Sequence, residues 1–177
     1  MLSHELEDMT LLLVRDAAEP PMWIDRWAVS YPIVQTAEVA RNGGIAHWQQ
    51  QLAETWSQIR SDSVAVVAHG AGVSAWLAWF YQADMVSRRR VNNVILVSPF
   101  EQAFPDDAEH TFQRVRINCR AALVLGEHDN GCSENWARQR AMLWQARLLI
   151  CPHPGRLSGS LQGWQWGMKL MQEMLLS

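Results

Sequence analysis

Ser63-Val-Ala-Val-Val-Ala-His69-Gly70-Ala-Gly72-Val-Ser74-Ala-Trp76 is an apolar run that passes into small residues and then directly into helical spacing. An uninterrupted run of this length, closed by glycines, reads as a strand buried on both faces that turns straight into a helix. Comparable runs lie at residues 11–14, 94–97, 121–125 and 148–151, with a weaker one at 33–39. Between them the apolar residues take helical spacing: Trp23 and Trp27; Trp48, Leu52 and Trp56; Trp76, Leu77 and Phe80; Trp136 and Leu143; and finally residues 161–176. Strand and helix alternating in this way predict βαβ units with right-handed crossovers. The expected fold class is α/β, a doubly wound, mostly parallel sheet of about six strands with helices on both faces, three layers in all. Ligands on such a sheet bind beyond the carboxyl ends of the strands.

The chain of 177 residues is the size of one domain, and no linker, repeat or low-complexity tract divides it, so residues 1–177 are read as a single domain. Hydrophobic residues make up 49% and charged residues 19%, the balance of an ordinary globular protein with a sizeable core. A net charge of −3 offers no field for a polyanion, so no nucleic-acid partner is expected, and Arg88-Arg89-Arg90 reads as a solvated loop. Cys119, Cys132 and Cys151 are an odd count without a C-x-x-C spacing, which fits neither a disulfide framework nor a metal site and favours a reducing compartment. The run at 11–14 is too short for a signal-peptide core or a membrane span, so a cytoplasmic protein without a membrane partner is expected. Tryptophan is over-used, with ten residues against four Phe and two Tyr, and Lys169 is the sole lysine among fifteen basic residues.

Two chemistries use a strand that turns directly into a helix. One is the nucleophile elbow G-x-S-x-G, whose tight turn lifts a serine above the sheet; here the segment reads Ala68-His69-Gly70-Ala71-Gly72, with glycine at the serine position. The other is the dinucleotide fingerprint G-x-G-x-x-A, which Gly70-Ala71-Gly72-Val73-Ser74-Ala75 satisfies. That fingerprint expects an acid at the end of the next strand, where Ser98 and Pro99 stand instead. Hydrolase partners, by contrast, follow in the order nucleophile, acid, histidine. Asp129 comes after the run at 121–125 and His153 after the run at 148–151.

With these residues in view, the sequence resembles the small, lidless α/β-hydrolases of the retinoblastoma-binding serine hydrolase and bacterial YdeN type over nearly its whole length. The resemblance is carried by Trp23-Ile-Asp-Arg-Trp27, Val67-Ala68-His69-x-x-Gly72, Ile95-Leu96-Val97-Ser98-Pro99, Gly126-x-x-Asp129, and His153 with Ser158-Gly159 and Trp164. It implies Gly70 at the nucleophile position, Asp129 as the triad acid and His153 as the general base. It also implies an oxyanion hole from the backbone N–H of Ala71 and one from the loop after Val14, at Asp16. His69, Trp23, Trp27 and Trp164 are candidate pocket walls, with Trp166 beside the last of them.

Three positions depart from the family pattern. Gly70 replaces the serine, Pro152 replaces the glycine that usually precedes the histidine, and residues 15–20 lack the usual glycines of the oxyanion loop. Ser74, Cys132 and Cys151 are poorly placed as substitute nucleophiles. The expectation is therefore a serine-hydrolase-family protein, esterase- or amidase-like, with weak or lost activity and no cofactor or metal. The alternatives are a non-catalytic module that binds a ligand or protein, a water-activating Asp129–His153 dyad, an active hydrolase whose serine has been substituted, and a dinucleotide-binding protein through Gly70-Ala71-Gly72. A small ester or amide is the expected substrate class.

Overall fold

A computed structural model describes residues 8–104 and 109–177. Its strands are β1 (Thr10–Asp16), β2 (Val34–Val39), β3 (Val64–His69), β4 (Val91–Val97), β5 (Arg120–Glu127) and β6 (Arg147–Pro154). The helices are α1 (Trp23–Ser30), α2 (Ile45–Ser57), α3 (Ala71–Gln82), α4 (Met85–Arg90), α5 (Glu109–Arg114), α6 (Glu134–Trp144) and α7 (Gln165–Leu176). All six apolar runs are strands. They form one sheet in the order β2-β1-β3-β4-β5-β6, and every pairing is parallel.

Both faces of this sheet are covered, which is why the strands show no alternation of apolar and polar residues. Leu12, Val14, Val66, Ala68, Leu96, Leu123 and Leu125 face one core, which α2, α3 and α6 close with Trp48, Trp56, Trp76 and Trp144. Leu11, Leu13, Ala65, Val67, Ile95 and Val124 face the other, under Trp23 and Trp27 of α1 and Met171 and Met174 of α7. Successive residues of each strand point to opposite sides, so each strand feeds both cores at once.

The strand order reverses between β1 and β3, and a crevice at the carboxyl ends of the strands forms at such a switch point. Gly72, in the first turn of α3, sets how closely that helix approaches β1. A Cβ at this position would lie 2.3 Å from the Val14 carbonyl oxygen and 2.7 Å from its carbon. Overpacking costs about 1–3 kcal/mol, and here the obstacle is backbone that cannot rotate away. Gly72→Ala is therefore expected to lose about 3 kcal/mol in urea unfolding; a loss below about 0.5 kcal/mol would mean that α3 can shift away from β1 freely.

Arg88-Arg89-Arg90 is not a loop, as its charge run suggested, but the last turn of α4. The Arg88 guanidinium donates to the carbonyls of Phe80 and Tyr81 at the end of α3. Arg90 donates to those of Ile59 and Ser61. Two of the three charges thus satisfy backbone carbonyls, a use of cations favoured by the negative end of a helix.

Candidate active site

The elbow is present in backbone form. Gly70 joins β3 to α3 with φ 60° and ψ −128°, a conformation that residues bearing a Cβ adopt only at a cost of about 1–3 kcal/mol. Its N–H donates to the Val97 carbonyl at 3.1 Å. Ala71 is the first residue of α3, so its N–H belongs to the helix turn whose donors have no intrahelical acceptor. The strand-to-helix turn expected at the end of β3 is therefore built, and the residue at its apex has no side chain.

Asp129 and His153 are not brought together. Asp129, 1% exposed at its side chain, is paired with Arg156, whose Nη1 lies 3.1 Å from Oδ1. The same Oδ1 accepts the Gly131 N–H at 2.8 Å, while Oδ2 is buried with no hydrogen-bond partner. The imidazole of His153 is instead at hydrogen-bond distance from its neighbour's carbonyl, Nδ1 to Pro154 O at 3.1 Å.

The reason lies in the length of β6. The apolar run ends at Cys151, but the strand continues through Pro152 and His153 to Pro154, with a register shift on β5 at Gly126/Glu127. Two prolines are tolerated because β6 is an edge strand, where a missing N–H need not break a ladder. The chain turns back over the strand ends only after Gly155, and the first long side chain it delivers is Arg156. The sequence held a signal for this. Glycine is absent at residue 152 but present at 155, immediately before Arg156.

Arg156 fills the space above the elbow. Its guanidinium also donates to the carbonyls of Ser98 and Pro99 after β4, and Nη2 lies 3.7 Å from where a Cβ on residue 70 would stand. Gly131 makes the room, since a Cβ there would lie 1.4 Å from Arg156 Nη1.

Asp16 is fully buried at the end of β1. Its Oδ1 accepts the Ala18 N–H at 2.9 Å, its Oδ2 is held by Arg41 Nε at 2.7 Å, and Oδ2 lies 3.8 Å from the same Cβ position. A carboxylate therefore stands beside residue 70, one position before the N–H expected to serve an oxyanion hole. The loop of residues 15–20 is pinned by Arg15, which binds both Asp25 oxygens at 2.8 and 2.9 Å and the carbonyls of Glu19 and Pro20.

Phe100 lies between two guanidiniums, with Arg41 4.2 Å and Arg156 5.6 Å from its ring centroid. Arg41, Arg156, Asp16 and Asp129 balance to zero charge. This aromatic and cationic grouping, missed in the sequence, depends on residues more than fifty positions apart.

His69, Trp23, Trp27 and Trp164, the expected pocket walls, pack as core. Trp23 and Trp27 are fully buried and Trp164 is 3% exposed. Their rings cluster at 4.5–5.9 Å, and the indole N–H groups of Trp23 and Trp27 donate to the Leu157 and Gly163 carbonyls at 2.9 Å. Trp166 extends the cluster at 5.9 Å from Trp164.

His69 lies edge-on to Trp23 at 6.1 Å, and neither ring nitrogen has a hydrogen-bond partner. Burial first, then the Arg156 charge, lowers its pKa from 6.5 to about 3; the nearby Leu157 backbone opposes this weakly. A histidine buried neutral contributes stability that is whole above its unfolded pKa and is lost as pH falls from about 6.5 towards 3, at up to about 1.4 kcal/mol per pH unit. His69→Gln is therefore expected to flatten the acid limb of the stability profile between pH 6.5 and 4.5. An unchanged limb would mean that His69 does not gain protons on unfolding.

The other nucleophile types are unsuited to attack. Burial, then Asp129, pushes the Cys132 thiol up to about 12, and burial raises Cys151 as well. Ser74 is fully buried. Among the described residues, no cluster of three His, Cys, Asp or Glu side chains could hold a metal ion, and no helix is long and apolar enough to cross a membrane.

A three-layer, all-parallel α/β sheet with a tight turn at the end of β3 defines an α/β-hydrolase-like molecule. The chain belongs to the serine hydrolase family, whose profile matches residues 16–173. Among solved structures it is similar to a YdeN-like hydrolase from Pectobacterium atrosepticum, with 19% identity, TM-score 0.79, and coverage of 97% of this chain and 94% of that one. It is also similar to the YdeN product of Bacillus subtilis, with 13% identity, TM-score 0.67 and coverage of 96% and 100%. Carboxylesterase CesB from B. subtilis aligns at 13% identity, TM-score 0.62 and coverage of 94% and 82%. No curated protein sequence matches the chain significantly.

Proposed function

We propose that this member of the serine hydrolase family has given up acyl-enzyme chemistry and works as a non-catalytic binding module. The observation that carries the proposal is the Arg156 guanidinium paired with Asp129 at 3.1 Å, above a Gly70 that has no hydroxyl. A serine attack needs a base within hydrogen-bond reach to take its proton. A guanidinium stays protonated at any working pH and cannot serve. The Asp16 carboxylate, held by Arg41, occupies the other side of residue 70.

A water-activating dyad of Asp129 and His153 would require the two side chains to meet, and each is occupied elsewhere. What remains at the strand ends is a charge-balanced, mostly buried grouping whose more exposed members, Arg41 and Phe100, suit a small molecule or a protein segment that offers complementary polar groups. The free thiols of Cys119, Cys132 and Cys151 fit a cytoplasmic setting.

The test is fluorophosphonate labelling together with hydrolysis of a short-chain nitrophenyl ester. The chain as it stands, and Gly70→Ser alone, are both expected to show neither. Labelling of the unaltered chain, or turnover abolished by His153→Ala, would overturn the proposal.

A further inference from the structure

At the end of the sheet opposite the elbow, the starts of β4 and β5 and the tail of α7 enclose a cavity of about 540 Å³. Its wall includes Arg88, Arg89 and Arg120, the amides of Asn92, Asn93 and Asn118, and, among the described residues, no acidic one. A chain of net charge −3 has therefore gathered three guanidiniums around one cavity with no carboxylate in its wall among the described residues. Arg88 is committed to the carbonyls of Phe80 and Tyr81, and Arg120 keeps one contact, Nη1 to the Met174 carbonyl at 3.2 Å. Arg89 is exposed and has no partner among the described residues. Burial pushes the Cys119 thiol in this wall up to about 11, so no thiolate cancels the positive charge at neutral pH.

Asn93 is the independent mark of a polar ligand. It is 1% exposed, and its Oδ1 has no hydrogen-bond partner. Buried polar atoms in folded proteins are nearly all satisfied, so the unmet amide oxygen of this wall residue marks a place short of a hydrogen-bond donor. The volume lies within the range of about 300–1,000 Å³ usual for small-molecule sites, and forked guanidiniums match the oxygens of a phosphate.

We propose that this cavity binds a small phosphorylated polyhydroxyl compound of the sugar-phosphate class. Arg89 and Arg120 hold the phosphate, and the asparagine amides meet the hydroxyls. The site is separate from the elbow and does not depend on whether the elbow is catalytic.

Isothermal titration calorimetry of the full chain at about 0.1 M salt, where charges beyond about 10 Å are screened, tests this with glucose 6-phosphate, glucose, inorganic phosphate and gluconate. Glucose 6-phosphate is expected to bind saturably and more tightly than inorganic phosphate or gluconate, and glucose not at all. Arg89→Gln and Arg120→Gln are each expected to weaken binding about tenfold or more, the loss of one charge-assisted hydrogen bond. Arg89→Gln removes no contact within the protein, so its effect reads the ligand and not the fold, while Arg138→Gln on α6 leaves affinity unchanged.

No saturable heat with glucose 6-phosphate, an affinity indifferent to Arg89→Gln, or gluconate binding as tightly as the phosphate would each overturn the assignment. Binding to anionic phosphatidylglycerol vesicles without binding of glucose 6-phosphate would overturn it in favour of a lipid surface, which exposed Met85 and Val86 would then contact.

Discussion

Gly70→Ser combined with Arg156→His is expected to raise hydrolysis of a short-chain nitrophenyl ester by at least about 10³ over the unaltered chain, and to place a fluorophosphonate label on residue 70. Removing the serine of a serine hydrolase costs about 10⁶ in kcat, roughly 8 kcal/mol at 1.36 per decade. Restoring part of the triad therefore leaves a wide margin even if the geometry is imperfect. A Cβ at residue 70 meets nothing nearer than 3.7 Å, so the cost of the serine lies in its positive φ, about 1–3 kcal/mol.

The second change is the decisive one. With Arg156 in place, the new hydroxyl faces a guanidinium that cannot take its proton. An imidazole at 156 would instead stand between residue 70 and the buried Oδ1 of Asp129, the order of groups that a triad requires. Activity in Gly70→Ser alone, equal to that of the double variant, would show that Arg156 does not block the base position. Failure of the double variant, with its fold intact by circular dichroism, would place the obstacle at Asp16, whose carboxylate stands beside residue 70. Adding Asp16→Asn would then be the relieving change.

Arg156→Ala is expected to destabilise the protein by about 3–5 kcal/mol, the usual cost of removing one partner of a buried ion pair. The Arg156 side chain is 14% exposed and that of Asp129 1% exposed, so solvent screens the pair little. Loss of the guanidinium leaves Asp129 with the Gly131 N–H as its remaining donor, since Oδ2 is already without one. It also strands the Ser98 and Pro99 carbonyls that Arg156 holds. Arg156→Ala combined with Asp129→Ala is expected to cost less than the sum of the single changes, because the second removes the charge that the first left unpaired. Additive costs in urea unfolding would mean that the pair does not couple, and that Arg156 acts only through the carbonyls.

These results bear on why an arginine stands here at all. In a hydrolase, a buried aspartate at the end of β5 is held by an imidazole. Once residue 70 has no hydroxyl, the imidazole has no proton to accept, but the buried carboxylate still needs a cation or donor. Arg156 meets that need through a group that reaches across from Gly155 to Ser98, and Gly131 clears its path. On this view Gly70 and Arg156 are linked as neighbours, the guanidinium standing in van der Waals contact with the place a side chain at residue 70 would take.

How much of this was legible in the sequence depends on the range of the interaction concerned. Residues 64–68 read correctly as a strand because burial on both faces demands an unbroken apolar run, a property of adjacent residues. Gly70 read correctly as the place where β3 turns directly into α3. The tryptophans at 48, 56, 76 and 144 likewise follow from helical spacing alone, and all four are buried against the sheet.

The partner of Asp129 was not readable in this way. Apolar patterning ends β6 at Cys151, whereas the strand runs on through two prolines because its outer edge needs no N–H donors. That three-residue extension carries His153 past the site and delivers Arg156 in its place. Whether Trp23, Trp27 and Trp164 line an open mouth or fill a core was equally undecided by spacing, and it is settled by the turn at Leu161–Gly163, which supplies the carbonyl that Trp27 binds. The sequence by itself determined the layers, the strands and the glycine turn at the end of β3, because each follows from neighbouring residues and their periodicity. Only the tertiary structure decided which cation meets Asp129, because that depends on where an edge strand stops, and its stopping point is set by hydrogen bonds to β5 rather than by the hydrophobicity of its own residues.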